Sequence, residues 1–320
     1  MSVVQRAVRR YAAKHRPSDP QCLEDLTING PWAENIDGNS FLIEDNMSNS
    51  DRIIIFGSKA CLSHLATSHT WMMDGTFKVV PNLFKQLYVI RSPLEGSSIS
   101  CVYALMTRKN EASYQYLLRT IVKKCADMGF EANPQKIVID FEMARINAIR
   151  HVFGWPAEIH GCFFHLCQST WRKIQSLGLT NRYKTDKNVQ EFCGMLDALA
   201  FLPENDVLEG MTYLRSIFPD SLDALVCYFD QTYVTGTHTA VNTTNPVSLA
   251  IHTLPPRFNP ELWNANRATL TDGMRTNNLC EAWNNGFMHR VGKAHLTIWA
   301  LIEALKADNM NDETKIARHN

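Results

Sequence analysis

Three acids set the chemistry this sequence could do: Asp74 in WMMDGTFKVV, Asp140 in QKIVIDFE and Glu281 in RTNNLCEAWNN. Asp74 stands between an apolar front, Trp71-Met72-Met73, and a β-branched end, Val79-Val80. A carboxylate inside an apolar strand is costly unless something pairs with it. Asp140 closes the apolar run IVI, and the carboxyl edge of a sheet is a frequent address for site residues. Two carboxylates brought together in a dry site repel each other, and a divalent cation relieves that repulsion. Mg²⁺ takes oxygen ligands, and two such ions about 3.5–4 Å apart can clamp an in-line phosphoryl displacement. A third acid then holds the second ion, and Glu281 is the candidate. It lies off the centre of its apolar stripe, Leu279, Trp283 and Phe287. Each acid also has a plainer reading. Asp74 can be a strand-end residue capped by backbone N–H groups, Glu142 competes with Asp140 as a ligand or is a helix-start acid, and Glu281 can be a surface helix acid.

A second set surrounds these acids. GCFFHLC offers Cys162-x2-His165, with Cys167 beyond it. A Cys-x2-His pair falls short of the four ligands of a structural zinc site, so a buried Cys and a strand-end His is the plainer account; His160 reads as an ordinary surface His. Trp171, Arg172 and Lys173 follow, and basic residues beside an aromatic can track a DNA backbone. The alternative is a solvated helix face with one buried Trp. Asn284 and Asn285 could reach DNA, while Trp283 between them and Glu281 reads as core filler.

The elements that must position these residues follow from periodicity and punctuation. RIIIFGS (52–58) reads as a short buried strand or helix start, and KACLSHLATS as a short helix. WMMDGTFKVVP, KQLYVIRSP (85–93, ended by Pro93) and SISCVYALM (98–106) read as three strands with short connections, an antiparallel meander. Residues 110–129 read as a helix with an Asn110 N-cap, the stripe Leu117, Ile121, Cys125 and Met128, and Gly129 at C′. QKIVIDFE is a fully buried strand, ARINAIRHVFG a helix, and EIHGCFFHL a strand or a strand running into a helix. The pattern from 167 to 233 is helical, 236–258 is a polar, Pro-punctuated loop, 275–287 starts a helix with an Asn cap, and 295–306 is the last strong helix. This order fits a mixed sheet with helices on its faces.

Composition bounds the answer. The 320 residues are 45% apolar and 20% charged, which implies a globular protein with a substantial core. Lys+Arg and Asp+Glu are 32 each, so DNA binding would rest on a local patch. Nine scattered cysteines predict reduced thiols. No run of 18 apolar residues is present, so no membrane span is expected. Residues 1–16 carry five Arg or Lys and no acid, a solvated helical arm or a nucleic-acid or import tail.

WMMDGTFKVVPNLFKQLYVI, YALMTRKNEASYQYLL, IVIDFEMARINAI, IHGCFFHLCQSTWRKIQSLGL, RTNNLCEAWNNGF and HLTIW, in that order over about residues 52–306, resemble the Mutator-like element (MULE) transposases. The resemblance implies an RNase H-like α/β fold with a DDE triad, interrupted by an all-helical insertion (about 167–270) before the last acid. It implies Asp74, Asp140 and Glu281 as catalytic, holding two Mg²⁺ or Mn²⁺ ions, with Cys162 and His165 supporting the site or binding a metal such as zinc. It further implies DNA as partner, with Arg172, Lys173, Asn284 and Asn285 as contacts, a homo-oligomer and a nuclear location. The expected layout is a partly disordered basic arm and linker (1–50), the DDE domain (51–306) and a C-terminal tail (307–320). The sequence departs from the family in having Cys22 alone in its first 50 residues, with no zinc finger there, and HLTIW where HP-x-IW is usual. A domesticated or truncated, non-catalytic DNA-binding or regulatory derivative is the alternative.

Overall fold

The computed structural model describes residues 16–154, 157–242, 249–271 and 278–319. The basic arm at 1–15 and an Asn cap ahead of Asn278 lie outside them. The chain divides into two compact units. One comprises Met1–Ile137, Glu142–Glu158 and Asn278–Asn320; the other comprises Val138–Phe141 and Ile159–Asn277.

The strands are β1 (Leu42–Asp45), β2 (Ile53–Phe56), β3 (Thr70–Thr76), β4 (Gln86–Leu94), β5 (Ser97–Met106), β6 (Lys136–Ile139) and β7 (Glu158–Gly161). They form one mixed sheet in the order β1-β2-β5-β4-β3-β6-β7. The β3–β4–β5 meander is antiparallel as expected, and β2 adds antiparallel to β5. The backbone N–H groups of Gln135 and Lys136 both donate to the His69 carbonyl at 2.9 Å, so β6 starts beside the start of β3. The helices are α1 (Lys59–Thr67), α2 (Glu111–Asp127) and α3 (Met143–Phe153), then, past the insertion, α11 (Asn278–Val291) and α12 (Ile298–His319). The Asn110 side chain caps α2 by accepting from Ser113 N–H at 2.8 Å, as the sequence predicts. With its helix-flanked mixed sheet, this is an α/β fold of the RNase H-like kind.

Cross-strand pairing decides which residues share a face. Asp74 pairs with Val89, Val89 with Tyr103 and Tyr103 with Phe56. That face carries the core under α11 and α12, where Trp283, Phe287, Leu301, Ile302 and Leu305 are buried. Gly75 pairs with Tyr88 on the opposite face.

Three stretches of the first unit differ from the sequence reading. Residues 17–50, read as linker, supply β1 and the buried side chains Leu26, Ile28 and Phe41. Their apolar residues are too sparse to show a period, yet each fills a place on the sheet. Residues 307–319, read as tail, continue α12. Pro93 does not end β4, which runs to Leu94. The ladder to β3 stops at Met72↔Arg91, so the missing N–H of Pro93 costs no bond on that side.

The second unit holds α4 (Phe163–Ser176), α5 (Thr180–Thr185), α6 (Lys187–Ala198), α7 (Val207–Ile217), α8 (Asp223–Phe229), α9 (Pro260–Trp263) and α10 (Asn266–Leu270). Beyond β7 its described residues are helical as expected except for a hairpin, β8 (Thr237–Asn242) with β9 (Leu249–Leu254), where the sequence reading has a loop. Thr, Val and Ile in THTAVN and LAIHTL favour strands. The Asn-Thr-Pro composition of the stretch hides that preference.

Candidate functional site

In the first unit the site is built on β3 and α11. Asp74 is only 7% exposed. Its Oδ1 accepts from the Gly75 N–H at 2.8 Å, and its Oδ2 accepts from Asn284 Nδ2 at 2.8 Å. The question raised by an acid in an apolar strand is thus partly answered by two donors that pair with its oxygens. Asn284, considered from sequence as a DNA contact, turns its amide onto this carboxylate instead. Glu281 precedes Asn284 by one helical turn and shares its face. Burial, and then the negative charge of Asp74, push the Glu281 carboxyl up to about 7.

The Glu281 shift has a pH signature. Its carboxyl rises from an ordinary 4.5 to about 7 on folding, so between those pH values the folded chain binds more protons than the unfolded one. Stability should therefore fall as pH rises through that window and level off above it. Glu281→Gln should remove this component. Denaturant unfolding of both proteins across the window checks it: parallel pH profiles would contradict the assignment.

Gly75 has no room for a side chain. A Cβ there would stand 2.8 Å from Gln86 Oε1 and 3.1 Å from Arg145 Nη2, and both residues are buried. Gly75→Ala should cost about 1–3 kcal/mol by overpacking and disturb the adjacent Asp74. Urea unfolding measures the first effect and metal titration the second. An unchanged midpoint would show that Gln86 and Arg145 yield freely.

Glu142 is not free to act as a ligand. Its carboxylate takes Lys109 at 3.2 Å and Arg145 at 3.1 Å, and its Oε1 accepts from the Tyr114 hydroxyl at 3.2 Å. Arg145 is buried against the rings of Tyr88 and Tyr114, 4.8 and 5.4 Å from their centroids. The sequence gives Arg145 no special mark, because a single Arg on a helix most often faces solvent.

In the second unit Asp140 directly follows Ile139, whose carbonyl accepts from the Cys162 N–H at 2.8 Å. Cys162 stands at the N-cap position of α4 and is buried, and His165 lies one turn along the helix. The Cys162 sulfur and a His165 ring nitrogen lie within 4.8 Å of each other, so the Cys-x2-His spacing does converge. Arg172 is exposed and Lys173 half-buried, with Lys173 Nζ 4.8 Å from the Tyr228 ring centroid. Trp171 packs on Tyr183 at 5.1 Å. Back in the first unit, Asn285 is exposed. Trp283 is core, stacked on Phe287 at 4.7 Å.

Residues 70–169 match the family model described as the MULE transposase domain. This segment belongs to the MULE transposase family. The match runs from the start of β3 into α4. It includes Asp74, Asp140, Cys162 and His165, while Glu281 and Asn284 lie beyond it. Among curated proteins none matches the chain. A MULE domain gives the chain a transposase-related function. Among the described residues no helix is long and apolar enough to cross a membrane.

Proposed function

We propose that the chain is the catalytic domain of a MULE-type DNA transposase, cleaving phosphodiester bonds at transposon ends and joining 3′-hydroxyls to target DNA in the nucleus. Asp74, Asp140 and Glu281 would hold two Mg²⁺ or Mn²⁺ ions. The observation that carries this reading is the facing of Glu281 and Asp74, two acids far apart in sequence and close enough for one charge to raise the other's pKa. Asp140 joins them because IVIDFE resembles the segment that carries the family's second acid.

The chain's own residues have definable tasks in this reading. Gly75 N–H and Asn284 fix the orientation of the Asp74 carboxylate. Glu281, with a carboxyl near 7, must give up its proton to accept a cation, so ion affinity should rise with pH up to about neutrality. Cys162 and His165 support the end of β6 next to Asp140, or add softer ligands there. Bound divalent ions would supply activation of the attacking oxygen and stabilisation of the leaving one. DNA, a homo-oligomeric assembly and the layout of a DDE domain with an inserted second unit belong to the same proposal.

The test is nicking of duplex DNA taken from the sequence on either side of the gene, searched for inverted repeats, with Mg²⁺ or Mn²⁺ and with chelator. Metal-dependent cuts at the repeat termini are expected. Intact DNA in both conditions would favour a non-catalytic derivative, and cuts indifferent to the ends would favour a nuclease on the same fold.

A further inference from the structure

The second unit contains an open cavity of about 530 Å³ that no site residue named above lines. Phe141, the residue after Asp140, stands on its wall, with Tyr228, Tyr233, Arg257 and Phe258. The aromatic wall is rigidly built. Phe141 meets Tyr233 and Phe258 edge-on at 5.8 and 5.2 Å, and Tyr233 stacks on Phe258 at 5.7 Å. The Tyr233 hydroxyl donates to Ser169 Oγ at 2.8 Å, and the same oxygen meets the Tyr228 hydroxyl at 3.0 Å. That fixes the Tyr228 ring while leaving it half-buried. Two cations stand over this wall: Lys173 over Tyr228, and the Arg257 guanidinium 5.4 Å from the Phe258 centroid. Among the described residues neither makes an ion pair with a carboxylate. The half-buried rings of Phe141 and Tyr228, with cations lacking an acidic partner, suit a flat, uncharged ring joined to an anionic group.

We propose that this cavity holds one nucleotide of a single DNA strand, its base against Tyr228 and Phe141 and its phosphate against Arg257 and Lys173. The proposal rests on the reading that the chain acts on DNA. The place of Phe141 next to Asp140 makes the cavity a seat for a nucleotide near the bond to be cut. Stacking tolerates any base, so the seat is indifferent to sequence.

The test uses the full chain in chelator and a short single-stranded oligonucleotide carrying 2-aminopurine, read by quenching and by fluorescence anisotropy. Quenching on binding is expected. Tyr228→Ala and Arg257→Gln should each weaken binding about tenfold, and Tyr228→Phe, which keeps the ring, should retain it. Arg257→Gln, an exposed change, should also lower the salt slope of binding by about one. Binding by both variants within about twofold of wild type would overturn the proposal. So would complete displacement of the oligonucleotide by an equal concentration of free deoxyadenosine monophosphate, which would assign the cavity to a free nucleotide. Since chelator removes any cutting, a negative result here leaves the nicking result standing, and an absence of nicking leaves this one standing.

Discussion

Asp140→Asn is expected to lower metal-dependent DNA cutting by on the order of 10³-fold or more, with little change in the fold. The substitution is isosteric, and the backbone around it is held independently by the bond from Cys162 N–H to the Ile139 carbonyl. What it removes is charge. A neutral amide oxygen cannot offset a divalent cation, so raising the Mg²⁺ concentration should not restore the rate. Asn284→Ala gives the contrasting case. It deletes the donor to Asp74 Oδ2 and leaves every proposed ligand in place. Loss of such an orienting partner costs about 10–100-fold, mainly through weaker ion affinity, and excess metal should recover part of it. Nicking assays across a metal series, with calorimetric titration of Mn²⁺, separate the two behaviours. Wild-type cutting by Asp140→Asn would eliminate that acid from the mechanism.

The sheet was legible in the sequence because its strands are long apolar runs closed by turn residues. The meander through SISCVYALM and the buried strand KIVI are examples. α2 was legible for a different reason: its cap, its stripe and its terminal Gly129 all agree. The acids were nameable, but their companions were not. Asn284 differs from Asn285 only in which way the helix turns it, and one residue of rotation decides whether an amide meets Asp74 or solvent. Glu142 competes with Asp140 in the sequence, where nothing shows that Arg145, one helical turn on, and Lys109 and Tyr114, far off in the chain, engage its carboxylate. The β8–β9 hairpin was missed because polar residues and a proline outweigh a weak strand preference in any local reading.

The far half of α12 was missed for a reason that leads to a strong stability prediction. Leu301 and Leu305 begin a stripe whose next positions are Asp308 and Asp312, so the helix looks finished where it is in fact most deeply committed. Asp308 is 5% exposed. Its Oδ2 accepts from Tyr103 OH at 2.8 Å, Trp283 Nε1 at 2.7 Å and Ser100 Oγ at 3.2 Å, and Arg290 pairs with its Oδ1. Asp312 accepts from the Ser100 N–H at 2.7 Å, and burial, aided by the charge of Asp308, raises its pKa. Asp308→Ala would strand three buried donors together, for which a loss of about 3–5 kcal/mol is expected. Asp308→Asn keeps an acceptor oxygen and should cost less than half of that. Trp283 and Arg290 both belong to α11, the helix that carries Glu281 and Asn284, so the same aspartate fixes the rotation of that helix over β3. Ion affinity of the folded Asp308→Asn chain should therefore drop as well, although residue 308 touches none of the proposed ligands. Urea unfolding followed by circular dichroism gives the first quantity and Mn²⁺ titration the second. If stability falls and affinity stays at the wild-type value, α11 is held in place by its apolar stripe alone.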